Sequence, residues 1–133
     1  MKLKVFTDGG ARGNPGIAGY GVHIEDDNKN IVFEESIFLG IKTNNEAEYM
    51  GLIGALTWIE DNAPEAEVEV NSDSQLLVRQ MKGIYKVKAQ HLKSLWTTAQ
   101  KLSMGKKIEY KEIKREENFK ADTLANIAMD KKK

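Results

Sequence analysis

The chain has 133 residues, twenty Lys or Arg against twenty Asp or Glu, and no cysteine. This length predicts a single domain over 1–133, large enough for a sheet with helices packed on it, and the balanced charge names no partner. Disulfides and thiolate metal sites are excluded, and with no membrane-length apolar run and no signal-peptide core after Met1, a cytoplasmic monomer without membrane attachment is expected.

Leu3 to Thr7 predicts a strand that feeds a Gly-rich turn, Asp8-Gly9-Gly10-Ala11-Arg12-Gly13-Asn14-Pro15-Gly16. A carboxylate beside bare backbone amides suits a cation and a phosphate together, although the stretch alone reads more readily as a tight turn with a solvated Asp8. Ile17 to Ile24 reads as a second strand, its glycines marking a bulge or close packing. After a polar turn at Asp26–Asn30, Ile31 to Leu39 is a third. Short links make these three an antiparallel meander.

The period then becomes helical, with Leu52, Ala55, Leu56 and Ile59 on one face. Thr43-Asn44-Asn45-Glu46 is a capping-box start, and the helix should stop before Pro64. Glu67 to Asn71 alternates as a strand and leads into Ser72-Asp73-Ser74, a cap for a short helix that ends at Gly83. A further helix carries Leu92, Leu95, Trp96, Ala99 and Leu102; both it and the first helix use their tryptophans, Trp58 and Trp96, as core. Lys107 to Ile113 is the last strand, and a closing helix buries Ala121, Leu124, Ala125 and Ala128 before a solvated Lys131-Lys132-Lys133 tail. The fold class is therefore α/β: a five-stranded mixed sheet, three antiparallel then two parallel strands, flanked by helices.

Four acids occupy comparable places in this scheme. Asp8 and Asp73 end neighbouring strands, while Glu48 and Asp122 sit near helix starts, so one cavity can hold all four. Oxygen donors without His or Cys suit magnesium or manganese. Two carboxylates about 5 Å apart at an effective dielectric near 20 repel by about 3 kcal/mol, so such a cluster is costly unless a cation sits among them.

Four motifs now carry a resemblance: Thr7-Asp8-Gly9-Gly10 with Gly13-Asn14-Pro15-Gly16; Thr43-Asn44-Asn45-Glu46-Ala47-Glu48-Tyr49; Ser72-Asp73-Ser74-Gln75; and Asn118 with Ala121-Asp122-Thr123-Leu124-Ala125. In order and spacing they resemble the type 1 ribonucleases H across essentially the whole chain. The resemblance implies a ribonuclease H-like fold and endonucleolytic hydrolysis of the RNA strand of RNA/DNA hybrids by two magnesium or manganese ions. It implies that Asp8, Glu48, Asp73 and Asp122 hold the metals, with Glu46 a cap residue instead. It also implies substrate contacts at Gly9, Asn14, Asn44 and Gln75 along the RNA, and at Thr43 on the DNA strand. The alternatives from other classes are a non-catalytic nucleic-acid-binding or interaction module of the same fold, and a related nuclease acting on double-stranded RNA.

The chain departs from longer family members in two places. No His precedes the last acid; Arg115 stands in that neighbourhood, a permanent cation able to face phosphate but unable to act as a base. In place of a basic helical insertion there is only Gly83-Ile84-Tyr85-Lys86-Val87-Lys88, with Lys82, Lys86, Lys88 and Lys93 forming a local basic run or a plain solvated face. His23 and His91 have no partners at ligand spacing and read as structural or exposed.

Overall fold

Leu3, Val5 and Thr7 alternate inward along the first strand, whereas its neighbours on either side are buried on both faces, from Ala18 to Glu25 and from Val68 to Ser72. In a computed structural model that describes residues 1–131, these strands belong to one five-stranded sheet. The elements are β1 (Lys2–Gly13), β2 (Gly16–Glu25), β3 (Ile31–Lys42), α1 (Asn44–Asn62), β4 (Glu67–Ser72), α2 (Gln75–Met81), α3 (Gln90–Ser103), β5 (Ile108–Glu112) and α4 (Phe119–Lys131). The expected tail beyond Lys131 lies outside the described residues.

Strand order is β3-β2-β1-β4-β5, with β1 antiparallel to β2, β2 antiparallel to β3, and β4 parallel to both β1 and β5. This is the predicted mixed sheet. One apolar cluster joins Leu3, Val5, Val22 and Val70 to Leu52, Leu56 and Ile59 of α1, with α3 adding Leu92 and Ala99. Trp58 and Trp96 pack against that cluster half-buried, Trp58 stacked on Phe33. Helix α4 covers β2 and β1 through Ala121, Ala125, Ala128 and Met129. Among the described residues, no helix is long and apolar enough to cross a membrane.

One expectation changes. The Gly-rich stretch after Thr7 is strand rather than turn: β1 pairs with β2 from Lys4↔Glu25 through Asp8↔Gly21 to Gly13↔Gly16, leaving only Asn14-Pro15 to reverse the chain. Glycines erase the side-chain period, but their amides and carbonyls still form the ladder. A 3-10 turn, Arg115–Asn118, runs straight into α4. His23, the structural histidine of the two readings, is buried with Nδ1 2.6 Å from Glu34 Oε2 and Nε2 2.7 Å from Glu25 Oε2.

Candidate active site

Pairing between β1 and β4 stops at Phe6↔Asn71, and β4 itself ends at Ser72. Asp8 lies two residues beyond the last pair, on a strand whose β4 side has just become open. Asp73 follows at the bend that leaves β4, where Ser74 turns the chain into α2 by accepting the Leu77 N–H at 3.2 Å. The divergence of the two strands thus sets two carboxylates facing one gap, as in other open α/β sheets.

Two glycines bring the remaining acids in. A Cβ on Gly9 would lie 2.3 Å from the Ala47 carbonyl carbon, so only glycine lets α1 settle this close to β1. That contact delivers Glu48, whose Oε1 accepts the Gly9 N–H at 2.9 Å. The start of α1 is fixed as expected: Glu46 N–H donates to Thr43 Oγ1 at 3.1 Å, and Thr43 N–H donates to Glu46 Oε1 at 2.9 Å. On β2, Gly21 pairs with Asp8, and a Cβ there would lie 2.3 Å from the Ala121 oxygen. The second close approach places Asp122, in the first turn of α4, on the wall of the cavity that Asp8 lines.

Asp8, Glu48 and Asp73 each offer a carboxylate oxygen within 4.8 Å of the others. Asp122 joins them in lining a cavity of about 370 Å3, together with Gly9, Asn44, Arg12 and Arg115. Burial, then the facing Asp73 and Asp122, push the Asp8 carboxyl up to about 8. Burial, then Asp8 and Asp73, hold Glu48 well above the usual carboxylate range, against the opposing effect of the Gly9 N–H. Without a cation, Asp8 and Glu48 therefore favour their protonated forms more than ordinary carboxyls do. An oxygen-only donor set under that mutual repulsion fits a hard divalent ion, and lacks the His and Cys that softer metals favour.

The other expected residues divide. Gly9, Asn44 and Arg115 line the cavity; Asn14, Thr43 and Gln75 do not. Asn14 is nonetheless tied to it, because Asn14 Oδ1 accepts the Asn44 N–H at 3.0 Å. Asn44 Oδ1 accepts the Ala11 N–H at 2.7 Å. Thr43 is engaged as the cap of α1, and Gln75 is exposed at the start of α2. Lys82, Lys86, Lys88 and Lys93 are all exposed; Lys86 and Lys93 line a separate hollow with Tyr85 and Trp96. Arg12, Asn126 and Met129 also line the acidic cavity and were not anticipated. Only the strand pairing of the Gly-rich stretch reveals Arg12, whose guanidinium meets Asp130 at 2.6 Å.

Sheet order and donor set together define a ribonuclease H-like α/β protein with an acidic cluster that fits a divalent metal. A family model described as reverse transcriptase-like matches residues 6–128. A bifunctional protein of Mycobacterium tuberculosis is 44% identical over 98% of this chain, which spans only 36% of that relative's length. The ribonuclease H of Ruthia magnifica is 30% identical, the match covering 98% of this chain and 97% of that one. Among solved structures, LC11-RNase H1 in complex with an RNA/DNA hybrid superposes with a TM-score of 0.92 at 44% identity over 98% of both chains. The chain belongs to the type 1 ribonuclease H family.

Proposed function

We propose that this protein is a divalent-metal-dependent endonuclease that hydrolyses the RNA strand of RNA/DNA hybrids. The observation that carries the reading is the convergence of Asp8, Glu48 and Asp73 within 4.8 Å, from three elements that have no structural need to bring like charges together. Asp8, Glu48, Asp73 and Asp122 would hold two ions, magnesium or manganese. Bound there, the ions supply the charge that polarises the phosphodiester and lowers the pKa of the attacking water.

The chain's own groups then orient substrate. The Asn44 side-chain oxygen is committed to Ala11, and the Asn14 oxygen to the Asn44 amide, so each side chain has its NH2 left to donate. A ribose 2′-hydroxyl accepts such a bond and a deoxyribose has nothing to offer, which selects the RNA strand. The Gly9 N–H is spent on Glu48, leaving its carbonyl to accept from the same kind of hydroxyl. Gln75, exposed beside Asp73, extends the RNA contact, and Thr43 faces phosphate of the DNA strand. Arg115 on the cavity wall holds a permanent positive charge against the reacting phosphate. Every residue in this account comes from one copy of residues 1–133, taken to act as a monomeric domain in the cytoplasm.

The test is a labelled panel of RNA/DNA hybrid, single-stranded RNA, double-stranded RNA and double-stranded DNA, incubated separately with magnesium and manganese. Products are expected from the RNA of the hybrid alone. A hybrid left intact with both metals overturns the reading, and equal cutting of double-stranded RNA overturns the assigned substrate.

A further inference from the structure

Asn118 is 1% exposed and closes the 3-10 turn between β5 and α4. Its Nδ2 donates to Asp73 Oδ1 at 2.8 Å and to the Thr7 carbonyl at 2.9 Å. Thr7 immediately precedes Asp8 and lies just beyond the last β1–β4 pair, at Phe6↔Asn71. A side chain from a third element thus takes the place of the next rung, spanning the gap where the two acid-bearing strands part. Both amide hydrogens are used in doing so.

The orientation of this amide is not arbitrary. Turned over, it would set its oxygen against two acceptors, the Thr7 carbonyl and the Asp73 carboxylate. As it stands, Asn118 Oδ1 has no hydrogen-bond partner among the described residues although it is buried. The residue therefore leaves its own acceptor unsatisfied while both donors serve the site.

We infer that Asn118 is a positioning residue of the metal site. It fixes the plane of the Asp73 carboxylate, and its spacing from Asp8, so that both present oxygens to the same ion. The amide consumes a lone pair on one Asp73 oxygen and restricts rotation about the side chain's last bond. Removing it lets that carboxylate turn away from Asp8, to which it is otherwise repelled. The inference rests on the metal-site reading above, but its readout does not depend on hybrid cleavage.

The experiment measures magnesium and manganese binding directly, by calorimetric titration and by metal-induced thermal shift, in the parent, Asn118→Ala and Asn118→Ser. Circular dichroism is recorded at the same temperature to establish the folded fraction. Partners that orient a metal ligand typically change affinity or activity about 10- to 100-fold when removed. Asn118→Ala is accordingly expected to weaken metal binding about tenfold with a parent-like fold, and to lower kcat more than it raises KM. In an Asp73→Asn background the same substitution should leave the residual metal affinity unchanged, because the carboxylate it orients is gone. A folded Asn118→Ala protein with parent-like metal affinity overturns the inference, as does an equal loss in the Asp73→Asn background. Should Asn118→Ala fail to fold, Asn118→Ser, which keeps a small polar group at the position, carries the same test. If the parent binds metal but leaves hybrids intact, the proposed activity fails while a tenfold affinity loss still sustains the positioning role.

Discussion

Replacing Asp8 by Asn keeps the side chain's size while removing the charge at the centre of the cluster. With oxygens of Asp8 and Asp73 within 4.8 Å, an ionised pair repels by about 3 kcal/mol at an effective dielectric near 20. Burial of the Asp8 carboxyl adds to that cost. Folding raises this group from 3.8 to about 8, so the folded state keeps a proton that the unfolded state has released. Linkage then requires the metal-free parent to lose stability from this group as pH rises from about 4 to about 8. Above that window the loss is complete. In chelator, Asp8→Asn should match the parent near pH 4, gain on it through the window, and level off near pH 9 between about 3 kcal/mol more stable, the charge repulsion alone, and about 6, the full rise from 3.8 to about 8. Urea denaturation at pH 5, 7 and 9 measures the difference, which corresponds to roughly 10–20 °C in Tm for a chain of this size. Saturating magnesium should stabilise the parent and not the variant, reversing their order, while cleavage is lost only in the variant. A difference that stays constant with pH, or a variant less stable than the parent in chelator at pH 9, would refute the reasoning.

Gly9→Ala should cost about 3 kcal/mol in urea denaturation, because its Cβ meets the backbone of Ala47 at 2.3 Å and neither backbone has room to yield; stability within about 0.5 kcal/mol of the parent would contradict that packing. Lys120→Met should cost about 1 kcal/mol at pH 7, since hydrogen bonding to Lys120, then to His23, holds Glu25 below its ordinary value of 4.5. A lowered acid stabilises the fold above its unfolded value and loses that contribution as pH falls through its folded value, so the deficit should shrink progressively as pH falls below 4.5; a deficit that does not shrink counts against the ion network. Arg115→Ala should reduce hybrid affinity and flatten its salt dependence by about one counterion, with Arg115→Lys restoring the slope; an unchanged slope removes Arg115 from the phosphate.

What the sequence made legible was local. The capping box of α1 lies within four consecutive positions, Thr43 to Glu46, and both of its bonds form as expected. The Ser cap after Asp73 is equally self-contained. The pairing of the Gly-rich stretch was hidden because glycine has no side chain to show a period, and its partner strand decides the matter. The partners of His23 were hidden for a related reason: Glu34 stands opposite it only in the β2–β3 register. Resemblance supplied the four acids, whereas composition and spacing permitted many others among twenty. The part played by Asn118 was invisible from spacing alone, since it depends on where β1 and β4 separate.

The attachment of α4 shows how the site's geometry and the fold's stability are divided. Gly19 and Gly21 let this helix approach the sheet closely, and the residues it buries are mostly alanines, so the contact offers little apolar area. Polar bonds fix it at three points along its length. Lys120 meets Glu25 at 2.6 Å near the start, Ser36 donates to the Leu124 carbonyl at 2.5 Å in the middle, and Asp130 meets Arg12 at 2.6 Å near the end. Exposed ion pairs contribute little to stability, and buried ones offset much of their attraction by desolvation. Their directional geometry, however, restrains sliding and rotation that an Ala-on-Gly contact alone would allow. Asp122 lies two residues after the first of these bonds, and the 3-10 turn carrying Asn118 leads directly into the same helix. A helix that supplies one acid and is continuous with the clamp on another must be held in register more than it must be held tightly, and the network around α4 is built for the first of those demands.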